Sequence, residues 1–142
     1  MGSPKERVAT AVGEAMFARD SASQALGMTI EEVGPGSARV RMTVRDDMLN
    51  GHGSCHGGIV FALADSAFAF ACNSHDVVTV AAGCSIEFLA PAHEGDELVA
   101  VAEERFREGR NGVYDVEVRR ADGALVATFR GRSAATRDRV LG

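Results

Sequence analysis

The sequence predicts an α+β fold in which one long apolar helix packs against an antiparallel sheet. The helix is predicted from residues 57–73, which are small or apolar on nearly every side and therefore belong in an interior. The sheet is predicted from an alternating segment at residues 38–45 and from two hairpin signals, Asn111-Gly112 and Asp122-Gly123. Strands joined by hairpins beside a single helix favour this class over an alternating α/β fold.

The first third of the chain is predicted to supply one helix and two strands. Apolar residues recur at helical spacing within residues 8–18, and a looser segment, residues 20–25, leads into a strand at about residues 28–33. The Gly-Pro-Gly triplet that follows predicts a turn. In residues 38–45, small or apolar residues alternate with Arg and Thr, as expected of a strand with one buried face and one wet face.

The rest of the chain is predicted to contain a loop, the long helix and further strands. The loop, residues 45–58, is rich in Asp, Gly, Ser and His, a composition that often carries function on a rigid scaffold. The helix would be about 25 Å long. Extended segments follow at residues 77–90, 98–106, 113–120 and 125–129. Such a meander leaves an outer edge that a second copy of the chain would cover in a symmetric dimer.

Length and composition fit one domain that covers residues 1–142, with residues 1–25 as an N-terminal helix and lead-in. The formal net charge of -5 argues against general binding to nucleic acid or to an anionic membrane. The longest apolar run, residues 59–72, is too short to span a bilayer. No signal peptide is visible, and three cysteines without CxxC spacing indicate reduced thiols, so we expect a cytoplasmic protein.

Asp65 is the only charged residue in the long apolar helix. An unpaired buried carboxylate is costly, so such a group is usually paired, neutralised or used in chemistry. An apolar setting raises the pKa of a carboxyl group and makes it a better base near neutral pH, so Asp65 could attack a carbonyl group or activate water. The alternative is a structural acid paired with a backbone group or an arginine.

Gly57 and Gly58 open the helix. The first backbone N–H groups of a helix lack internal partners and carry partial positive charge, and glycine lets a ligand approach them closely. Such a spot suits a carbonyl oxygen that becomes an oxyanion during a reaction. The alternative is that the two glycines only permit a tight turn from the loop into the helix.

His56, next to this helix start, allows several interpretations: it could donate to a carbonyl group, orient the loop or cap the helix. With His52 it has an HxxxH spacing, but the intervening glycine indicates a loop and no third ligand is apparent, so we expect no metal ion. A nucleophilic pair with Cys55 is disfavoured because adjacent residues rarely face each other. Asn50 fits either a turn residue or a group that holds water or a carboxylate.

Together these motifs resemble those of the hotdog-fold acyl-CoA thioesterases, and most closely the phenylacetate-degradation (PaaI) type. The HGG motif followed by the helical acid carries the resemblance, with further matches at residues 71–74, 85–91, 95–96, 112–115 and 129–131. The resemblance covers about residues 26–133. It implies a hotdog fold, in which a curved antiparallel sheet wraps the long helix, and a homodimer or homotetramer with sites at subunit interfaces. We expect no cofactor.

The resemblance also implies roles for individual residues. Asp65 matches the catalytic acid of the helix, and Gly57 matches the glycine whose N–H polarises the thioester carbonyl. Asn50 matches the loop amide that positions water or the leaving sulfur from the facing subunit, and His56 matches a motif histidine with an orienting role. Ala69 stands where some branches of the family carry a polar helper, so that hydroxyl group is absent here.

The expected substrate is an acyl-CoA. An aryl-acetyl group such as phenylacetyl or hydroxyphenylacetyl fits the resemblance, and a medium-chain acyl group remains open. The residues that we expect to bind it are one glycine, two aromatic residues for the acyl pocket and three arginines for the CoA phosphates: Gly58, Phe61, Phe68, Arg110, Arg130 and Arg132. Arginines at strand ends are also common on ordinary surfaces.

The predicted reaction is hydrolysis of the thioester, with Asp65 as general base or nucleophile and the Gly57 N–H as oxyanion donor. Two alternatives stay open. The first is a hotdog dehydratase or hydratase, which pairs a histidine with a carboxylate; the acid and the histidine of one helix fit a thioesterase better. The second is a non-catalytic acyl-CoA binding protein, although binding alone does not need a buried acid.

Overall fold

The computed structural model describes residues 2–142, so the first residue of the predicted N-terminal segment lies outside it. The elements in chain order are α1 (Pro4–Arg19), α2 (Ser21–Ala25), β1 (Thr29–Gly34), β2 (Ser37–Thr43), α3 (Gly57–Asn73), β3 (Thr79–Phe88), β4 (Glu97–Glu108), β5 (Asn111–Arg120) and β6 (Leu125–Ala135). The strands form one antiparallel sheet in the order β1-β2-β4-β5-β6-β3. Helix α3 contacts every strand, which confirms the predicted packing of one long helix against an antiparallel sheet.

Helix α1 begins at Pro4 rather than at residue 8 because polar residues stabilise its first turn. The Ser3 Oγ accepts the N–H of Glu6 at 3.1 Å, and Glu6 Oε1 accepts the N–H of Ser3 at 3.0 Å. This capping box satisfies two backbone donors, and proline is favoured at the first helical position. The segment predicted as a loose lead-in forms the short helix α2, which Asp20 caps.

Helix α3 has the predicted bounds, but it is not buried on every side. One face packs into the core through Val60, Leu63, Ala64, Ala67, Phe68, Phe70 and Ala71. The other face is only half-buried, and we call it the open strip: Ile59, Ala62, Asp65, Ser66 and Ala69. In a single chain the surroundings of Asp65 are therefore accessible. Among residues 2–142, no helix is long and apolar enough to cross a membrane.

The turn between β4 and β5 lies two residues earlier than predicted. Glu108 pairs with Asn111, so Gly109 and Arg110 form the turn, and Gly109 takes the positive φ of 59°. The prediction of a turn at Asn111-Gly112 is therefore wrong. Gly112 belongs to β5, where a Cβ atom would lie 2.5 Å from the Ser133 Oγ. Close packing rather than turn geometry therefore requires this glycine.

Strand β3 lies at one edge of the sheet, where β6 is its only neighbour within the described part of the chain. All of its residues except Thr79 and Ile86 are exposed. Val80 is 53% exposed, and Phe88 at the end of the strand is 54% exposed. Strand β3 therefore presents an open edge with apolar side chains on the surface.

Candidate active site

The loop before α3 closes around Asn50. The Asn50 Oδ1 accepts the backbone N–H groups of His52 at 2.9 Å and Ser54 at 3.1 Å, and the Asn50 N–H donates to the Ser54 carbonyl at 2.8 Å. The side-chain oxygen is thus used within the loop. The Nδ2 group has no partner among residues 2–142, so it can donate two hydrogen bonds to a ligand.

His56 caps helix α3. Its Nδ1 accepts the backbone N–H of Gly58 at 3.0 Å. Because an accepting ring nitrogen carries no proton, the neutral ring holds its proton on Nε2. The interpretation of His56 as a capping and orienting residue, one of those that the sequence allows, thus has a hydrogen bond to support it. The Gly58 N–H is therefore not available to a ligand.

Gly57 keeps a free backbone N–H at the start of the helix. This group has no partner in the described part of the chain, whereas the next N–H is held by His56. The positive end of the helix dipole lies at the same point. The ring of Phe88 packs against Gly57, where a Cβ atom would lie 3.2 Å from the Phe88 Cζ. Helix α3 thus offers a single unpaired donor beside an aromatic ring.

A cavity of about 360 Å³ opens at this helix start. Its walls combine polar and apolar surface and include Asn50, Gly57, Val60, Phe88, Leu89 and Val126. We did not identify Phe88 from the sequence, although it lies within the matching segment 85–91. The contact between Phe88 and Gly57 depends on where β3 ends relative to α3. The local sequence pattern does not contain that information.

Asp65 is half-buried in the open strip, and its carboxylate forms no hydrogen bond or ion pair within the described residues. Burial raises the pKa of this carboxyl group, and the negative charge of Asp20 raises it further. The alternative of a structural acid would require a backbone or arginine partner, and none is found among residues 2–142. The side chain is thus an accessible, unpaired base.

The cysteines offer no activated nucleophile. Burial raises the pKa of the Cys55 thiol, and burial raises that of Cys72 to about 12. Cys84 on β3 is exposed, and desolvation together with the charge of Asp65 raises its pKa as well. Raised thiol pKa values disfavour the reactive thiolate. Within residues 2–142, no three His, Cys, Asp or Glu side chains are arranged to hold a metal ion.

The two predicted pocket aromatics lie at different depths. Phe61 is half-buried and packs edge-on against Phe129, with ring centroids 5.4 Å apart. Phe68 is only 1% exposed and packs against Tyr114 and Phe129, each at 5.7 Å between centroids. Phe68 therefore belongs to the core of the single chain. Gly58, the predicted glycine contact, is exposed.

The three arginines predicted to bind the CoA phosphates differ in whether a carboxylate neutralises their charge. Arg130 lies on the exposed face of β6 and binds both oxygens of Asp115, at 2.6 and 2.8 Å. Arg132, two residues along the same face, donates to the Ala82 carbonyl at 3.3 Å, and Arg110 donates to the Ala135 carbonyl at 2.9 Å. Neither of these two has a carboxylate partner among the described residues, so their charges are not neutralised.

The chain is similar in sequence to known thioesterases. The family model described as the thioesterase superfamily matches residues 52–127. Acyl-coenzyme A thioesterase PaaI of Escherichia coli is 49% identical over 119 residues, which are 84% of this chain and 85% of the relative. The matched family region includes His56, Gly57 and Asp65 and begins just after Asn50.

Solved structures agree with these sequence matches. The structure of the E. coli PaaI protein from the phenylacetic acid degradation operon superposes with a TM-score of 0.93 and 44% identity, covering 94% of this chain and 97% of that chain. A Streptococcus mutans protein bound to acetyl CoA superposes with a TM-score of 0.76 and 26% identity, covering 79% of this chain and 90% of that chain.

Proposed function

This chain belongs to the thioesterase superfamily and has the hotdog fold, and from that premise we propose that it hydrolyses aryl-acetyl-CoA thioesters, such as phenylacetyl-CoA, to a carboxylic acid and CoA. The observation that carries the proposal is the unpaired Asp65 carboxylate on the same helix as the free Gly57 N–H. A relative in E. coli is named as an acyl-CoA thioesterase and its operon as one for phenylacetic acid degradation, which supports the substrate class.

We propose that each site combines residues of two subunits. Asp65 follows Gly57 by eight residues on one helix, which separates them by about 12 Å along the axis. A general base must come within about 3 Å of the water that it activates, beside the same carbonyl group. One chain cannot bring both groups to one carbonyl, so Asp65 works with the Gly57 N–H of a partner.

The surface of the chain supports such a homodimer. Strand β3 leaves one edge open, and the open strip of α3 leaves Ile59, Ala62 and Ala69 only half-buried around Asp65. Pairing of two β3 edges would satisfy their backbone groups and continue the sheet. A two-fold axis would then bring the same surfaces of both chains together. A homotetramer would form from two such dimers.

In this proposal Asp65 removes a proton from water while the water oxygen attacks the thioester carbonyl carbon. The carbonyl oxygen becomes an oxyanion that accepts the partner's Gly57 N–H. The carbon–sulfur bond then breaks, and the thiolate of CoA takes the proton from Asp65. The free Nδ2 of Asn50 donates to the water or to the leaving sulfur, and His56 keeps the helix start in place.

Asp65 could instead attack the carbonyl carbon itself and form a mixed anhydride that water then hydrolyses. A single turnover in heavy-oxygen water distinguishes the two routes. A general base leaves the label only in the product acid, whereas a nucleophile transfers label into the Asp65 carboxylate. We favour the general base, and label in Asp65 would overturn that choice.

Release of free thiol from a panel of acyl-CoA substrates, ranked by kcat/KM, tests the proposed function. We expect hydrolysis, with aryl-acetyl-CoA compounds preferred over medium-chain ones. Loss of water from a hydroxyacyl-CoA without thiol release would instead identify a dehydratase. Tight acyl-CoA binding without turnover would identify a binding protein. Either result would contradict the proposal.

Mixing two inactive variants tests whether the site is shared between subunits. Asp65→Asn removes the base, and Gly57→Pro removes the N–H donor. Random exchange of subunits makes half of the dimers mixed, and each mixed dimer holds one intact site, so activity should return to about one quarter of wild type. Absence of any recovery after confirmed subunit exchange would overturn the shared site.

For the CoA phosphates we propose Arg132 and Arg110, whose charges have no carboxylate partner among the described residues. Arg130 is the weaker candidate because Asp115 already binds it. Arg132→Gln should therefore raise KM more than Arg130→Gln does. Equal KM values for wild type and the Arg132 variant would remove this residue from the substrate site.

A further inference from the structure

A chain of polar contacts links the segment before α2 to the residue next to Asp65. The Asp20 carboxylate accepts the Ser23 backbone N–H at 2.9 Å and the Ser23 hydroxyl at 2.6 Å. The Ser23 Oγ in turn lies 2.8 Å from the Ser66 Oγ. Ser23 is only 2% exposed, so the link crosses a buried contact between α2 and α3.

The direction of the hydrogen bonds along this link follows from the number of protons. A serine hydroxyl has one proton to donate. Because Ser23 donates that proton to Asp20, the contact with Ser66 requires that Ser66 donates to Ser23. The Ser66 hydroxyl is thus directed towards α2, and the link ends at the residue next to Asp65 in α3.

Asp20, at the start of this link, is also the charged group that acts on Asp65. The thiols whose pKa values the charge of Asp65 raises are Cys72 on its own helix and Cys84 on β3. The negative charge of Asp20 adds to the effect of burial, and both raise the pKa of Asp65. No cation in the described part of the chain offsets this effect on Asp65.

We propose that Asp20 is a positioning residue for the hydrolysis: its hydrogen bonds to Ser23, and that of Ser66 to Ser23, hold its carboxylate against α3, where it places a second negative charge near that of Asp65. The second charge disfavours ionisation of Asp65 and so keeps it a stronger base. This inference rests on the proposed role of Asp65. It differs from the capping of α2, because capping does not need the charge of Asp20.

The pH dependence of kcat/KM for Asp20→Asn tests this inference. Asparagine also caps helices well, so the variant keeps the fold while it loses the charge. We expect the acidic limb of the profile to move to lower pH, so that kcat/KM on this limb, relative to its plateau, rises by roughly twofold or more. Glu108→Gln, which removes an exposed charge at the end of β4, should leave the limb in place.

Ser23→Ala tests the hydrogen-bond part separately. The backbone N–H of residue 23 still donates to Asp20, but the hydroxyl that joins the Asp20 carboxylate to Ser66 is lost, so this carboxylate is less firmly held against α3. The limb should then also move to lower pH, by less than in Asp20→Asn, and a move to higher pH would overturn the role of the link.

An unmoved limb in Asp20→Asn, or an equal shift in Glu108→Gln, would overturn the inference. If Asp65→Asn is inactive in the same assay, the proposed function survives that result. Full activity of Asp65→Asn would instead overturn both the proposed function and the role of Asp20.

Discussion

The Nδ1 atom of His56 accepts the backbone N–H of Gly58 at 3.0 Å. The first two backbone donors of α3 therefore differ. The N–H of Gly58 is bonded within the protein, and the N–H of Gly57 stays free for a ligand. The contact with Gly58 also assigns the histidine a structural task, because the nitrogen that accepts this bond cannot act as an acid in the neutral ring.

Replacement of His56 separates capping from proton transfer. His56→Ala should lower the free energy of unfolding by about 1 kcal/mol, because the cap of α3 is lost. His56→Asn supplies another capping side chain, so it should restore most of the stability and most of kcat/KM. Denaturant unfolding and steady-state kinetics measure both. A stable His56→Asn variant without activity would show instead that the ring transfers a proton.

Gly57→Pro should remove the proposed oxyanion donor, the Gly57 N–H, with little damage to the helix. Proline lacks the N–H, is favoured at the first helical position, and suits the extended conformation of the preceding His56, with φ -59° and ψ 134°. Gly57→Ala is the matched control, because it adds a Cβ against Phe88 but keeps the N–H.

Because the proline variant lacks one oxyanion donor, we predict that its kcat is about 10²–10³-fold below that of the alanine variant. Single-turnover rates at saturating substrate measure this difference. Equal rates in the two variants would exclude the Gly57 N–H as the donor.

A charge on the open edge of β3 should separate the subunits. Val80 is 53% exposed, so Val80→Asp leaves the core intact but places a charge where two strands would pair. We expect a shift to monomer by light scattering, with a parallel loss of turnover. Thr29→Asp, on the opposite edge strand β1, should alter neither. A fully active monomer would contradict a site shared between subunits.

Asp65 should lower the stability of the fold at neutral pH. Burial, and then Asp20, raise the pKa of Asp65 in the folded chain above its unfolded value. Folding therefore favours the protonated form, and the ionised form carries a cost that is fully present above the folded-state pKa and vanishes below the unfolded-state pKa.

Asp65→Asn should consequently raise Tm by a few degrees at pH 7, and the gain should shrink in acid. Calorimetry at several pH values measures this difference. An equal or lower Tm for the variant at pH 7 would show that the carboxylate has a stabilising partner in the assembled protein.

The long helix and the antiparallel sheet could be predicted from local pattern. An apolar run of helical length and an Asp-Gly turn each have a direct structural meaning, and Gly123 indeed adopts the positive φ of 89°. The prediction of a turn at Asn111-Gly112 was wrong because Gly109, two residues before Asn111, provides the positive φ of the actual turn. Gly112 is a glycine for a different reason, its close packing against β6.

The arrangement of the candidate site could be predicted only in part. Asn50, His56, Gly57 and Asp65 lie in one continuous segment whose motif carries them. The contacts of Phe88 with Gly57 and of Ser23 with Ser66 join residues that are far apart in the chain. Such contacts depend on how strands and helices pack, so spacing along a single sequence does not contain them.

Turnover of an acyl-CoA by Asp65→Asn tests the central claim most directly. The variant keeps the size and shape of the side chain but cannot accept a proton from water. We predict a fall in kcat of about 10²–10⁴-fold, the usual contribution of a general base, with acyl-CoA binding and assembly unchanged. A variant that hydrolyses the thioester at near the wild-type rate would contradict the assignment of Asp65 and the mechanism built on it.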